Sequence, residues 1–278
     1  MFQAYHYSIE HWLFLLYFYC IFGWIVECTY VSVRTHKLTN RGFMKGPWLP
    51  IYGFGAIIML FCGGPFREHP ILMFLAGTVG ASVLEYITGA VMEALFTVRY
   101  WDYSYRKYNL HGYICLPNSL YWGLATMFLN YLLHNWVEGI VALISLRALR
   151  VIVWIISVTI AADFATAFKA AIDMRILLDQ LSRAKDEMAR YQKRLDVLMA
   201  VASDEVMDEV GEIKLKYAVL KDRVSNMIHV RDINLRLVIK GNPTMVSAKF
   251  ADALDMVKGA VIHRVKNKEL EENERVNG

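Results

Sequence analysis

Apolar residues dominate the first 168 positions in blocks of about twenty, broken by short basic or turn-rich loops, and then the pattern changes to a charged heptad. A membrane-crossing helix needs roughly 20 mainly apolar residues. On that measure the chain predicts spans at about 12–33, 47–64, 71–97, 114–133 and 149–168. The stretch 136–148 is apolar as well. A sixth span there would place Arg147 and Arg150 mid-membrane at a cost of roughly several kcal/mol, so a short interfacial helix at 136–148 is expected instead.

Beyond Lys169 the apolar positions fall seven apart: Met174, Leu181, Met188, Leu195 and Ala202, with Leu177, Ala184, Tyr191 and Leu198 interleaved. A second arm carries Val206, Ile213, Leu220 and Met227, with Val210, Tyr217 and Val224 between them. Two heptad arms broken near Ala202-Ser203-Asp204 predict an antiparallel helical hairpin. Gly241-Asn242-Pro243 should end the second arm, Ser247 should begin a short helix with Phe250, Leu254 and Val257 inward, and the end from Lys266 should fray. The expected architecture is an all-α integral membrane protein, with a five-span domain at 1–168 and a cytoplasmic helical tail at 169–278.

Charge sharpens that division. Only 10 of the 30 Lys+Arg and 8 of the 26 Asp+Glu lie in residues 1–168. The net charge of +4 is spread over both parts and gives no nucleic-acid signal. Seven basic residues sit in the loops 34–46 and 98–112, against Arg67, Arg147 and Arg150 on the opposite side. The positive-inside rule then puts the N-terminus outside and the tail in the cytoplasm. Trp12, Trp48, Trp101, Trp122 and Trp136 fall near the expected boundaries, and the first apolar run reads as a retained span rather than a cleaved signal. Cys20, Cys28, Cys62 and Cys115 have no metal-ligand or disulfide spacing and read as small buried hydrophobes.

Two loops share a pattern. "NRGFMKGPWLPIYG" (40–53) and "NLHGYICLPNSLYWG" (109–123) align without a gap: Gly42 with Gly112, Phe43 with Tyr113, Pro47 with Pro117, Tyr52 with Trp122, Gly53 with Gly123. Upstream, "VECTYVSVR" (26–34) resembles "MEALFTVR" (92–99), pairing Glu27 with Glu93 and Arg34 with Arg99. The chain thus reads as a two-helix repeat, with units at about 12–64 and 71–133 in one orientation. Pro47 and Pro117 suit first helical turns, where a missing N–H leaves nothing unpaired.

Glu27, Glu85, Glu93 and Asp163 lie within or beside the spans. Intramembrane carboxylates are costly and need a partner or a wet cavity. One reading is a fixed network in which Arg34, Arg41, Arg99 and Arg106 hold the loops to the helix ends. The other makes the four acids border a substrate, proton or cation pathway. Trp101-Asp102-Tyr103-Ser104 reads as a hydrogen-bonded turn that orders its loop together with Asn109. His36, His111 and His134 are isolated, and neither a metal-ligand set nor a catalytic triad is visible. No catalytic residue, metal or cofactor is therefore expected.

These blocks carry a family resemblance. "FGWIVE" (22–27), "NRGFMKGPWLPIYGFGA" (40–56), "LEY" (84–86), "RYWDYS" (99–104), "NLHGYICLPNSLYWG" (109–123) and "NPTMVSAKFADALDMVK" (242–258) resemble the putative ABC-transporter type IV family, the CmpB-like permeases. The resemblance implies a membrane permease subunit served by a separate ATPase subunit, since the chain has no GxxxxGK[ST] of its own. A homo-oligomer in the bilayer would enlarge so small a bundle. The competing reading is a non-transporting membrane scaffold or sensor that recruits partners through its tail.

Overall fold

The structure is a computed structural model that describes residues 7–201, 207–228 and 233–262. It is almost wholly helical and divides into two compact units, residues 1–95 with 99–169, and residues 96–98 with 170–278.

In the first unit, α1 (Ile9–Thr35), α2 (Pro50–Gly63), α3 (Pro70–Phe96), α4 (Leu116–Phe128) and α5 (His134–Ala142) precede the start of α6 (Leu146–Val201). Among the described residues three helices are long and apolar enough to cross a membrane: α1, α3 and the first part of α6. α2 is shorter, and a 3-10 turn, Gly64–Phe66, extends it. Small residues set the helix spacing. A methyl group on Gly53 would stand 2.4 Å from Cys20 Sγ and 2.6 Å from the Leu16 carbonyl, so α2 packs directly on α1. A methyl on Gly123 would stand 2.2 Å from Thr78 Oγ1 and 2.6 Å from Phe74, which puts α4 equally close to α3. The core between them holds Leu15, Tyr19, Met59, Leu60, Ala81 and Leu129.

Two expectations change here. Pro47 does not begin a helix: α2 starts at Pro50, with Leu49 as its cap. Leu49 N–H donates to the Cys20 carbonyl of α1, and Trp48 N–H turns back to Gly46 O, so the helix begins only at Pro50. The interfacial helix expected at 136–148 is also absent as a separate element. A π turn at Leu129–Leu133 carries α4 straight into α5, and the break falls at 143–145, where the Ser145 carbonyl accepts from Leu149 N–H at the start of α6. The Asn130 side chain inside the π turn donates to the Met59 and Thr126 carbonyls, so the widened turn is fastened to α2. Pro117, by contrast, does sit in the first turn of its helix.

In the second unit α6 continues unbroken past residue 169, followed by α7 (Met207–Ile228), α8 (Ile233–Gly241) and α9 (251–262). Leu195 clusters with Val210 and Ile213, while Leu181 and Ala184 cluster with Leu220 and Val224. Partners thus run in opposite directions along α6 and α7. Ser203, the expected turn, Val206 and the tail from Lys266 lie outside the described residues. α8 ends at Gly241. Ser247 Oγ accepts from Phe250 N–H ahead of α9, and Phe250, Leu254 and Val257 are buried in the same core. Ser247 Oγ also donates to the Thr97 carbonyl at 2.6 Å, and Val98 is part of this core.

Candidate functional site

Three carboxylates on α1 and α3 meet three different surroundings. Glu27 accepts from Tyr52 Oη at 2.8 Å and lies 3.5 Å from Arg41 Nε. Arg34 points elsewhere, to Tyr30 Oη. Glu93 accepts from Arg99 Nε at 2.7 Å and from Tyr113 Oη at 2.5 Å. Burial works against the charge of Arg99, but the hydrogen bond and charge of Glu93 outweigh it and hold the guanidinium above its ordinary pKa.

The loop after α3 braces that pair. Asp102 accepts from Ser104 N–H and Ser104 Oγ and lies 3.5 Å from Arg99 Nη1. Asn109 Oδ1 accepts from Gly112 N–H, and its amide donates to the Arg106 carbonyl. The Arg106 guanidinium lies over the Tyr105 ring rather than on Glu93. Gly112 has φ +75°, and a methyl there would stand 2.7 Å from both Arg99 Nη1 and Asp102 Oδ1. Only glycine fits both that backbone and that space. Gly42, its aligned partner, has φ +134°. The loop around Gly42 is anchored by Asp163, which accepts from Gly46 N–H at 2.8 Å and faces Lys45 N–H at 3.4 Å. Asp163 therefore holds backbone.

Glu85 is different. It is 5% exposed, and no basic side chain stands within ion-pair distance among the described residues. Asn118 Nδ2 donates to its two oxygens at 2.9 and 3.1 Å, Trp122 Nε1 donates at 2.8 Å, and Tyr103 Oη at 3.3 Å. All three neighbours donate, which suits an acceptor-only carboxylate. Burial, with the Glu85 charge beside it, pushes the Tyr103 phenol above its ordinary pKa. Glu85 also forms part of the wall of a cavity of about 150 Å³ between α1, α2, α3 and α4, open on one side and otherwise apolar and aromatic.

These contacts fall in a different register from the one the sequence suggests. Tyr52 and Trp122 are aligned, yet Tyr52 donates to Glu27 and Trp122 to Glu85, not to Glu93. The glycines agree: Gly53 rests on Leu16 and Cys20, Gly123 on Phe74 and Thr78. Each of these pairs (Leu16 and Phe74, Cys20 and Thr78, Glu27 and Glu85) is 58 residues apart, whereas Glu27 and Glu93 are 66 apart. Position along the helices therefore matches Glu27 with Glu85.

One centre escaped the sequence reading. His134 is fully buried, with Tyr19 Oη 2.9 Å from Nδ1 and Tyr7 Oη 3.0 Å from Nε2. Tyr7 also donates to Glu138 at 2.7 Å. The available signal was Asn130 and His134, two polar residues in an otherwise apolar run. Among the described residues no three potential metal ligands converge.

A family model described as "Putative ABC-transporter type IV" matches residues 12–168, more than half of the chain. The chain belongs to that family. No curated protein and no solved structure matches it. The matched region contains the carboxylates, both Gly-Pro loops and the cavity, and the chain is a membrane protein of a transporter-related family.

Proposed function

We propose that the chain is the permease-type subunit of a transporter, with its substrate site in the cavity that ends on Glu85. The observation that carries this reading is the contrast among the three acids. Glu27 and Glu93 each hold an arginine and a tyrosine, whereas Glu85 lies deeper, without a cation among the described residues, on a cavity wall. An uncompensated charge in so apolar a place is costly and marks an intramembrane functional position. Energy for transport comes from a separate ATPase subunit, and the chain itself catalyses no reaction. Copies of the chain assemble in the bilayer around the pathway. A second reading, a scaffold that recruits partners through the tail, draws support from the tail's own core around Leu178, Leu181, Leu254 and Val257.

The reading includes five passes, with the N-terminus outside and the tail in the cytoplasm. Contacts at the helix ends support it. Arg150 pairs with Glu10, Arg67 with Asn135, and Tyr7 with Glu138, which groups the predicted outer ends. Glu27 with Arg41, Glu93 with Arg99 and Asp163 with Gly46 group the predicted inner ends. In this reading α4, the π turn and α5 form the fourth pass, and α1–α2 and α3–α4 are two copies of one unit in the 58-residue register.

The test is native mass spectrometry of the chain purified with its own lipids and partners. Wild type should carry an ATPase subunit and a small molecule. Ala125→Trp, which fills the cavity, should keep the subunit and lose the molecule. A signalling or envelope protein in place of the ATPase, with identical small-molecule content in both samples, contradicts the reading.

A further inference from the structure

The cavity has a chemical signature more specific than "apolar with an acid". Aromatic rings from Tyr19, Phe22, Tyr52, Trp122 and Phe128 line it, and Glu85 is the one charged group on its wall. Tyr52 and Trp122 meet edge to face, with ring centroids 6.0 Å apart. Aromatic faces carry negative potential and attract cations, most strongly where water is excluded. A cage of rings beside an unpaired carboxylate is therefore complementary to positive charge.

The hydrogen bonds narrow the class. Both Glu85 oxygens already accept from Asn118, one also from Trp122 and the other from Tyr103. A carboxylate offers about four lone-pair sites, and four contacts use them. A primary ammonium ligand, which must place three N–H donors, would have to displace these neighbours. A quaternary ammonium has no N–H and needs only charge and aromatic surface. Building on the substrate site proposed above, we infer that this cavity binds a quaternary ammonium group. Two sources share that chemistry, a choline lipid headgroup and a small soluble cation.

The experiment uses the full chain in nanodiscs of phosphatidylglycerol, titrated with benzyltrimethylammonium and with neopentylbenzene, its uncharged carbon isostere. Trp fluorescence and equilibrium dialysis report binding. The ammonium should bind at least tenfold more tightly than the isostere. Glu85→Gln should abolish that preference and leave isostere binding unchanged. Should Glu85→Gln fail to fold, Phe128→Ala removes one half-exposed ring without touching the polar network and should weaken ammonium binding about threefold to tenfold. Nanodiscs containing phosphatidylcholine identify the source: competition with the probe means a lipid headgroup, and its absence means a soluble cation. Equal affinity for probe and isostere, both lost in Ala125→Trp, overturns the cation assignment but keeps the substrate site. Binding of neither probe overturns both.

Discussion

Trp122 Nε1 donates to Glu85 Oε2 at 2.8 Å, joining α4 to α3 by a contact that Tyr52 and Glu27 repeat between α2 and α1. The two donors differ in consequence. Glu27 also has Arg41, so its charge is answered within the chain. Among the described residues Glu85 receives only neutral donors, Asn118, Trp122 and Tyr103. In the proposed reading the same helix–helix staple serves as a structural clamp in one place and as the floor of a binding site in the other.

Gly112, the one glycine in the loop after α3, should resist replacement. Gly112→Ala combines a positive φ with a methyl driven into Asp102 and Arg99, and should destabilise the protein by about 1–3 kcal/mol. Gly139, on α5 with open space around it, is the control, and Gly139→Ala should stabilise by about 0.4–1 kcal/mol. Thermal unfolding of both variants in detergent checks the pair of signs.

His134 should carry its proton on Nε2. Tyr7 gives its hydroxyl proton to Glu138, so Tyr7 Oη can only accept from the imidazole, which leaves Nδ1 to accept from Tyr19. The ¹⁵N shifts of labelled His134 distinguish the tautomers, and an Nδ1–H form contradicts the assignment. His134→Phe, which removes the hydrogen bonds of the ring to Tyr7 and Tyr19, should cost about 1–3 kcal/mol.

Lys258 makes the tail sensitive to alkaline pH. Its ammonium donates to the Met245 carbonyl, and burial lowers its pKa below the ordinary 10.5. Between the folded value and 10.5 the unfolded chain binds more protons, so this group makes stability rise with pH across that window. Lys258→Met should remove that rise. Denaturant unfolding of wild type and variant, compared below about pH 10 where ordinary tyrosines stay protonated, gives the difference directly.

The orientation is tested by single cysteines. Leu38→Cys, on a fully exposed loop residue, should resist a membrane-impermeant maleimide in intact cells, while Glu68→Cys should react. Labelling at 38 from outside contradicts the proposed topology.

Much of the helical pattern was legible because it is local. Heptads placed Leu181, Leu195, Val210 and Leu220 in the tail's cores, where the structure buries them. Pro117 marked a helix start for its own covalent reason. Pro47 did not: the chain bends there, with Trp48 N–H turning back to Gly46 O, and a bond from Leu49 N–H to Cys20 O, between distant parts of the chain, precedes the helix start at Pro50. Glu85 could be picked out as a costly residue, but its partners come from a loop and from α4, 18 to 37 positions away. The one-dimensional alignment paired Glu27 with Glu93 by its neighbouring arginine, whereas the aligned residues Tyr52 and Trp122 donate to Glu27 and Glu85. His134 read as isolated for the same reason, since both tyrosines arrive more than a hundred residues away in the chain.

The central claim is that Glu85 serves a ligand whereas Glu27 and Glu93 serve the fold. Glu27→Gln, Glu85→Gln and Glu93→Gln, each measured for thermal stability and for benzyltrimethylammonium affinity, test it most directly. The account predicts that Glu27→Gln and Glu93→Gln lower the unfolding temperature, by the equivalent of about 1–3 kcal/mol for a lost charged hydrogen bond, and bind the probe as wild type does. Glu85→Gln should weaken probe binding at least tenfold. If Glu85→Gln leaves affinity intact while Glu27→Gln or Glu93→Gln removes it, the roles assigned to the three carboxylates are contradicted.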